Sequence, residues 1–183
     1  MEKILRWGLH GTARINRSLI PPLQSSRRNQ LAAVASRSLE KAQEYAREWR
    51  IPSAYGSYQA LLDDPKIDVV YISLPNHLHV EWALKAAEAG KHVLCEKPIA
   101  LRTEDVDAML AASKTHNVHI AEAFMYRHHT QTFKVQELLE TGAIGELQTA
   151  QGSFLFKLNR PGSYRWEPDQ GGGSLWDVGC YPL

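Results

Sequence analysis

The chain has 183 residues, enough for one large domain, or one domain and part of a second, with a real hydrophobic core. Its 21 lysine and arginine residues nearly balance its 20 aspartate and glutamate residues, so its charge favours neither a nucleic acid nor a membrane partner. Cys95 and Cys180 are not spaced as a zinc or redox pair, and no long apolar run suggests secretion or membrane insertion, which together predict a cytoplasmic protein.

Short apolar segments alternate with helical patterns over residues 1–123. The segments typical of strands are ILRWG, LAAVAS, IDVVYIS, HVLC and VHIAEAF. Such alternation is typical of parallel strands joined by right-handed helical crossovers. It predicts an α/β fold, a doubly wound parallel sheet of the Rossmann type. Pro21 and Pro22 predict that the first helix ends or kinks near Ile20.

A second, α+β domain is predicted to begin at residue 124 and to be incomplete at residue 183. Its helical pattern TFKVQELLETG precedes LQTAQGSFLFKL, whose partial alternation predicts an antiparallel strand. A loop rich in glycine, proline and aromatic residues follows. The final SLWDVGCYPL is typical of the first turns of a helix.

The turn between the first strand and the first helix carries a weak dinucleotide-binding pattern. The three small-residue places of that pattern fall on Gly11, Ala13 and Asn16, and only Gly11 matches strictly. A purely structural turn therefore stays an alternative. The context favours a cofactor, because the free amides and the dipole at the start of a helix attract phosphate.

Ser36 and Arg37 follow the second strand, where an acidic residue would hold the ribose hydroxyls of NAD. An arginine beside a hydroxyl can instead bind a 2′-phosphate. This predicts NADP rather than NAD. The alternative is that Arg37 simply faces water.

Lys97 stands directly before the final proline of the segment HVLCEKP, and Leu74, Pro75 and Asn76 follow the strand segment before it in the chain. Ligands of doubly wound sheets bind beyond the carboxyl ends of the strands, so both ends are predicted to lie beside the nicotinamide. A solvated loop lysine is the alternative. Asp177 and Tyr181 are four residues apart and would share one face of a helix. Lys97 and Tyr181 are a credible proton-handling pair, with Asp177 orienting the substrate or the lysine.

Eight histidines raise the question of a metal, but their spacing with cysteine and carboxylate residues gives no convincing ligand set. No metal site is predicted.

The sequence resembles the glucose-fructose oxidoreductase, inositol dehydrogenase and MocA oxidoreductase family over nearly its whole length. The resemblance rests on WGLHGTARIN, ASRSLEKAQEYA, YISLPNHLHVEWALKAAEAGKHVLCEKPIAL, AEAFMYRHH and GGGSLWDVGCYPL. It implies that Lys97 lies at the catalytic centre with Asp177 and Tyr181. Tyrosine at 181 resembles the branch of NADP-dependent sugar dehydrogenases, such as xylose 1-dehydrogenase, and of dimeric dihydrodiol dehydrogenase. His10 stands where an aliphatic residue is usual.

The resemblance also implies further strands, which in family members cover the substrate cleft and often form a dimer interface. The chain is therefore predicted to hold the cofactor domain and the start of a second, with homo-oligomers possible. The predicted function is hydride transfer between NADP(H) and a sugar, polyol or related cyclic alcohol, and the alternative is a nucleotide-binding module or fragment without turnover. The predicted cofactor-binding residues are Gly8, Gly11, Thr12, Ala13, Arg14, Ile15, Ser36, Arg37, Leu74, Pro75, Asn76, His79, Glu96 and Lys97.

Overall fold

The computed structural model describes residues 3–182, so Met1, Glu2 and Leu183, at the outer ends of the two predicted domains, lie outside the described residues. The chain divides into two compact units, with the boundary between Glu122 and Ala123. Each unit is described by itself below.

The first unit is built on one six-stranded parallel sheet. Its strands are β1 (Leu5–His10), β2 (Asn29–Ala35), β3 (Ser53–Tyr55), β4 (Val69–Ile72), β5 (His92–Cys95) and β6 (Ile120–Glu122). They lie in the order β3-β2-β1-β4-β5-β6, and every neighbouring pair is parallel. The doubly wound α/β prediction is confirmed. The three-residue β3 is too short to stand out as an apolar run, and the sequence pattern missed it.

Five helices connect these strands, and a sixth begins the second unit. They are α1 (Asn16–Ser25), α2 (Leu39–Trp49), α3 (Tyr58–Leu62), α4 (His79–Glu88), α5 (Thr103–Thr115) and α6 (Thr130–Glu140). Ser38 caps α2 by accepting a hydrogen bond from the amide of Lys41.

Helix α1 continues through Pro21 and Pro22 to Ser25, so the prediction that it ends near Ile20 is wrong, and the other possibility, a kink there, stays a prediction. The two prolines remove amide donors that would have bonded the carbonyls of Arg17 and Ser18. Both of those residues are exposed, so water can take the place of the missing donors. Ile20 and Leu23 meanwhile bury one side of the helix in the core.

The core lies mainly where β4 and β5 meet α3, α4 and α5. All four residues of β4 are buried, as expected of a strand covered on both faces. Gly8 in β1 permits a close approach of α3, since a Cβ there would lie 2.7 Å from Leu61 Cδ2.

The second unit contains α6, short 3₁₀ turns and a π-helical turn at Leu175–Gly179. No strand occurs within residues 123–182, so the antiparallel strand predicted for LQTAQGSFLFKL is absent there. A strand needs the backbone of a neighbour, and Phe154, Leu155 and Phe156 are exposed instead of covered. None of the helices between residues 3 and 182 is long and apolar enough to span a membrane.

Candidate cofactor-binding and active site

The carboxyl edge of the sheet has a crevice-forming topology at its centre. Strands β1 and β4 are neighbours, and the chain proceeds outward from them in opposite directions. Dinucleotides bind at such a reversal of strand order in doubly wound sheets. The segments that follow β1, β2, β4 and β5 therefore lie where a dinucleotide would bind.

Gly11 begins the turn after β1 with a φ of +98°, a conformation that favours glycine. A Cβ there would lie 3.1 Å from Leu74 Cδ2. The buried Asn16 fastens the turn from the other side, since its Nδ2 donates to the Gly11 carbonyl at 2.9 Å. Asn16 therefore stabilises the turn through its side chain, whereas the usual small residue at this place of the pattern allows the helix to pack closely.

The start of α1 suits an anion. No side chain caps this helix and its first turn holds no acidic residue. The amino end of a helix carries partial positive charge, and Thr12, Ala13, Arg14 and Ile15 lead into it. The predicted pyrophosphate site is compatible with this geometry.

Ser36 and Arg37 directly follow β2. Ser36 is buried, and its amide donates to the Tyr55 carbonyl at 3.1 Å, whereas Arg37 is exposed. The charge of Arg37 also acts on Tyr58, a residue that the sequence pattern did not suggest. Burial raises the pKa of the Tyr58 phenol, and the charge of Arg37 acts to lower it. An exposed cation here fits a 2′-phosphate better than a free ribose hydroxyl.

His79 connects the segments that follow β4 and β5. Its ring is fully buried, with Nδ1 2.7 Å from the Pro98 carbonyl oxygen and Nε2 2.8 Å from the Leu74 carbonyl oxygen. Burial lowers the pKa of His79, while the two carbonyl groups act to raise it. The assignment of His79 to the cofactor site stays a prediction. Its ring holds the backbone at Leu74 and at Pro98, two segments that are predicted to lie beside the nicotinamide.

Side chains from three elements hold the segment around Lys97. Tyr71 in β4 donates to Glu96 Oε1 at 2.5 Å, and the Ile99 amide donates to Glu122 Oε1 at 2.8 Å. With His79 contacting Pro98, the residues on both sides of the half-buried Lys97 are anchored. The sequence pattern missed Tyr71 and Glu122, because both occupy strand positions that read as ordinary sheet residues.

His10 ends β1 within an aromatic cluster. Its ring centroid lies 5.2 Å from that of Tyr58 and 5.5 Å from that of Trp82. The side chain is fully buried and neither ring nitrogen has a hydrogen-bond partner of good geometry. Burial lowers the pKa of His10 to about 3, with the Tyr58 backbone acting in the opposite direction. The ring is therefore neutral near pH 7.

In the second unit, Asp177 and Tyr181 lie on and just after the π-helical turn, not on the α-helix that their spacing suggested. Asp177 Oδ1 pairs with Arg165 Nε at 2.8 Å, and the carboxylate side chain is only 12% exposed. The Tyr181 ring lies within 6 Å of three aromatic rings, those of Phe124, Tyr126 and Phe154. Arg165 thus orients the carboxylate, and aromatic packing orients the phenol.

Two other kinds of chemistry find no support in the part of the chain that the structure describes. No group of three or more histidine, cysteine, aspartate or glutamate side chains there is arranged to bind a metal ion. Cys95 is fully buried, and its burial raises the pKa of the thiol well above the ordinary value. It is therefore not an activated thiolate.

Two family profiles match the chain. The profile described as "Oxidoreductase family, NAD-binding Rossmann fold" matches residues 5–124, and the GFO/IDH/MocA C-terminal domain matches residues 132–183. The chain belongs to the GFO/IDH/MocA oxidoreductase family.

Relatives of known activity and a solved structure lie close to this sequence. The chain is 42% identical over 181 residues to the D-xylose 1-dehydrogenase (NADP(+)) 2 of Haloferax volcanii, covering 98% of this chain and 55% of the relative. It is 36% identical over 181 residues to the trans-1,2-dihydrobenzene-1,2-diol dehydrogenase of Xenopus laevis, covering 96% and 54%. A 3-ketoreductase from Actinomadura kijaniata, solved with NADP and TDP-benzene, superposes with a TM-score of 0.92 at 34% identity, covering 98% and 55%. The chain therefore spans about half the length of these relatives.

Proposed function

We propose that the chain is the cofactor-binding part of an oxidoreductase that transfers a hydride between NADP(H) and a sugar, polyol or related cyclic alcohol. One observation carries the proposal: the anchored Lys97 segment and the glycine turn at Gly11 lie on the same carboxyl edge of one sheet. The bound nicotinamide would supply or accept the hydride. The protein must then move the proton of the substrate hydroxyl.

We assign that proton chemistry to Lys97 in the first unit and to Tyr181 in the second. A lysine amine and a phenol can both exchange a proton with a hydroxyl oxygen and stabilise the charge that develops on it. Asp177, fixed by Arg165, would bind a substrate hydroxyl through its carboxylate. We propose further that the unit from Ala123 onward is the beginning of a substrate and oligomerisation domain.

The preference for NADP has two supports. Ser36 and the exposed Arg37 stand after β2 in place of an acidic residue. The names of the Haloferax dehydrogenase and the Actinomadura reductase structure both include NADP. A small carbohydrate-like substrate is likewise in keeping with the xylose dehydrogenase among the relatives.

The proposal can be tested by titrating the 183-residue chain with NADPH and NADH, following the fluorescence of the reduced nicotinamide. A panel of aldoses, polyols and cyclic diols with NADP is then assayed for NADPH formation. We expect NADPH to bind more tightly than NADH, and at least one member of the panel to be oxidised. Tight NADPH binding without turnover would favour the alternative, a nucleotide-binding module.

Replacing Arg37 with aspartate tests the choice of cofactor. We expect the Kd for NADPH to rise about tenfold, because a charge-assisted hydrogen bond is lost and a repulsive carboxylate is introduced. The Kd for NADH should change little. The same fluorescence titration measures both constants, with Arg102→Asp, at an exposed position before α5, as the charge-matched control. An equal loss for the two cofactors would refute the 2′-phosphate assignment.

A further inference from the structure

Two histidines meet at the amino edge of the sheet, opposite to the carboxyl edge that carries the proposed cofactor site. His92 is the first residue of β5, and His119 directly precedes β6. Their rings are stacked, with centroids 5.4 Å apart and an angle of 21° between the ring planes. The backbone amide of His119 also donates to His92 Nδ1 at 3.0 Å. A side chain of one strand therefore holds the backbone that leads into the next strand.

The hydrogen bond to Nδ1 requires a neutral His92 ring. A ring nitrogen accepts only through a lone pair, so Nδ1 carries no proton and the single proton of the neutral ring is on Nε2. An imidazolium has an N–H group at each nitrogen. Because it offers no acceptor in either ring orientation, rotation of a protonated ring cannot restore the bond. Protonation of His92 therefore breaks its contact with the His119 amide.

Strand β6 is short and lies at the edge of the sheet. It consists of three residues and has β5 as its neighbour. The Val93 amide donates to the His119 carbonyl at 2.8 Å, so the ladder begins at the same residue whose amide is held by the imidazole. At the other end of β6, Glu122 accepts from the Ile99 amide in the segment after β5. Local opening costs least where a strand is short and near solvent, as at the amino end of β6.

Charged groups from three neighbouring elements act on His92. Burial lowers its pKa below the ordinary 6.5, and the charges of His119 and Lys3 act in the same direction, whereas Asp68 acts to raise the pKa. The Asp68 carboxylate already pairs with Lys3 Nζ at 3.0 Å and with Arg6 Nε at 2.9 Å, which offsets its negative charge. The unfolded chain therefore binds the proton more readily. The stability that depends on a neutral His92 is fully present above pH 6.5 and is lost as the pH falls below it.

We propose that His92 is an acid-sensitive latch on β6, whose neutral ring holds the His119 amide and whose protonation releases the amino end of this edge strand. The proposal goes beyond hydride transfer and does not depend on a bound cofactor. Two features of the geometry carry it. The amide is aimed at Nδ1, and a second imidazole is stacked on the ring, where it disfavours an added positive charge. In mild acid β6 loosens at its amino end, while the pairing of β5 with β4 remains.

The test measures hydrogen exchange of single backbone amides by NMR in the 183-residue chain without ligand. Rates at about pH 7 and about pH 5 are each divided by the rate of an unstructured peptide at the same pH, which gives the protection of each amide. We expect the protection of the His119 amide to fall severalfold in acid. The Val118 amide, which donates to the Ser113 carbonyl at 3.1 Å, is the internal reference because its bond includes no titrating group. An unchanged ratio of the two protections would overturn the proposal.

Two substitutions of His92 separate the acceptor from its proton. His92→Asn supplies an acceptor oxygen near the place of Nδ1 and does not titrate in this range, so the His119 amide should stay protected at both pH values. His92→Leu removes the acceptor, and the amide should have low protection at both. His116→Asn, at an exposed position after α5, is the matched control and should keep the acid response. An acid response in His92→Asn equal to that of the wild type would contradict the latch.

A measurement on the wild type alone keeps the proposal testable if a variant does not fold. Nitrogen NMR of the labelled histidine rings reports the protonation of His92 directly. Near neutral pH, Nδ1 should show the chemical shift of an unprotonated nitrogen that accepts a hydrogen bond. The midpoint of the His92 titration should coincide with the midpoint for the loss of His119 protection. Two different midpoints, or a proton on Nδ1 near neutral pH, would refute the proposed role of the ring.

Discussion

Replacing Lys97 with alanine should lower kcat for sugar oxidation by at least about 100-fold, the lower range for removing a general acid or base. The Kd for NADPH should change little. The backbone around residue 97 is held by contacts that do not use the lysine side chain, those of Tyr71, His79 and Glu122. Steady-state rates and fluorescence titration of the same preparation measure the two quantities.

Two further substitutions sharpen the interpretation of that result. Lys97→Arg keeps a positive charge but cannot release its proton near neutral pH, so it should remain strongly impaired. Lys85→Ala removes a surface lysine that pairs with Glu81 at 2.6 Å and should retain full activity. An active Lys97→Ala variant would remove Lys97 from the mechanism.

Replacing His10 with leucine should make the protein much less sensitive to mild acid. In the folded chain the pKa of His10 lies near 3, below the 6.5 of an unperturbed imidazole. The unfolded state therefore binds the proton more readily. The stability that depends on a neutral His10 is fully present above pH 6.5 and is lost progressively as the pH falls toward 3. This loss should amount to about 2 kcal/mol of unfolding free energy between about pH 7 and about pH 5.

Urea unfolding at about pH 7 and about pH 5 measures this difference in the wild type and in His10→Leu. The wild type should lose about 2 kcal/mol more than the variant between the two pH values. Leucine suits the site because the imidazole already packs among apolar and aromatic groups without hydrogen-bond partners of good geometry. His128→Leu, at an exposed position, is the control. Parallel pH dependence in wild type and His10→Leu would show that another group governs the acid response.

The sequence predicted the parallel sheet because each strand segment is a run of apolar residues between helical patterns. VVYI in β4 is predicted as a strand because it is part of such a run, and in the structure all four of its residues are buried. Gly11 is likewise predicted from a local pattern, and in the structure it has the positive φ that favours glycine in the turn after β1. Features that depend on a single residue and its neighbours in sequence are thus accessible without a structure.

The features that the sequence did not predict depend on contacts across the chain. Tyr71 and Glu96 are 25 residues apart, and nothing local marks the tyrosine as different from any other strand residue. Helix α1 continues past its two prolines because Ile20 and Leu23 are buried in the core. Local helix propensity does not include such tertiary packing. For residues 147–158 the sequence predicted a strand that the structure does not contain. An alternating pattern alone does not supply the neighbouring backbone that a strand needs.

The wide turn at Leu175–Gly179 has a consequence for comparing this region with other chains. The Cys180 amide donates to the Leu175 carbonyl five residues back, rather than four. The backbone that carries Asp177 therefore does not follow the α-helical geometry of about 3.6 residues per turn. A template that places such a carboxylate and phenol on an α-helix would therefore have a different backbone hydrogen-bond pattern in this turn, even with their spacing in sequence preserved.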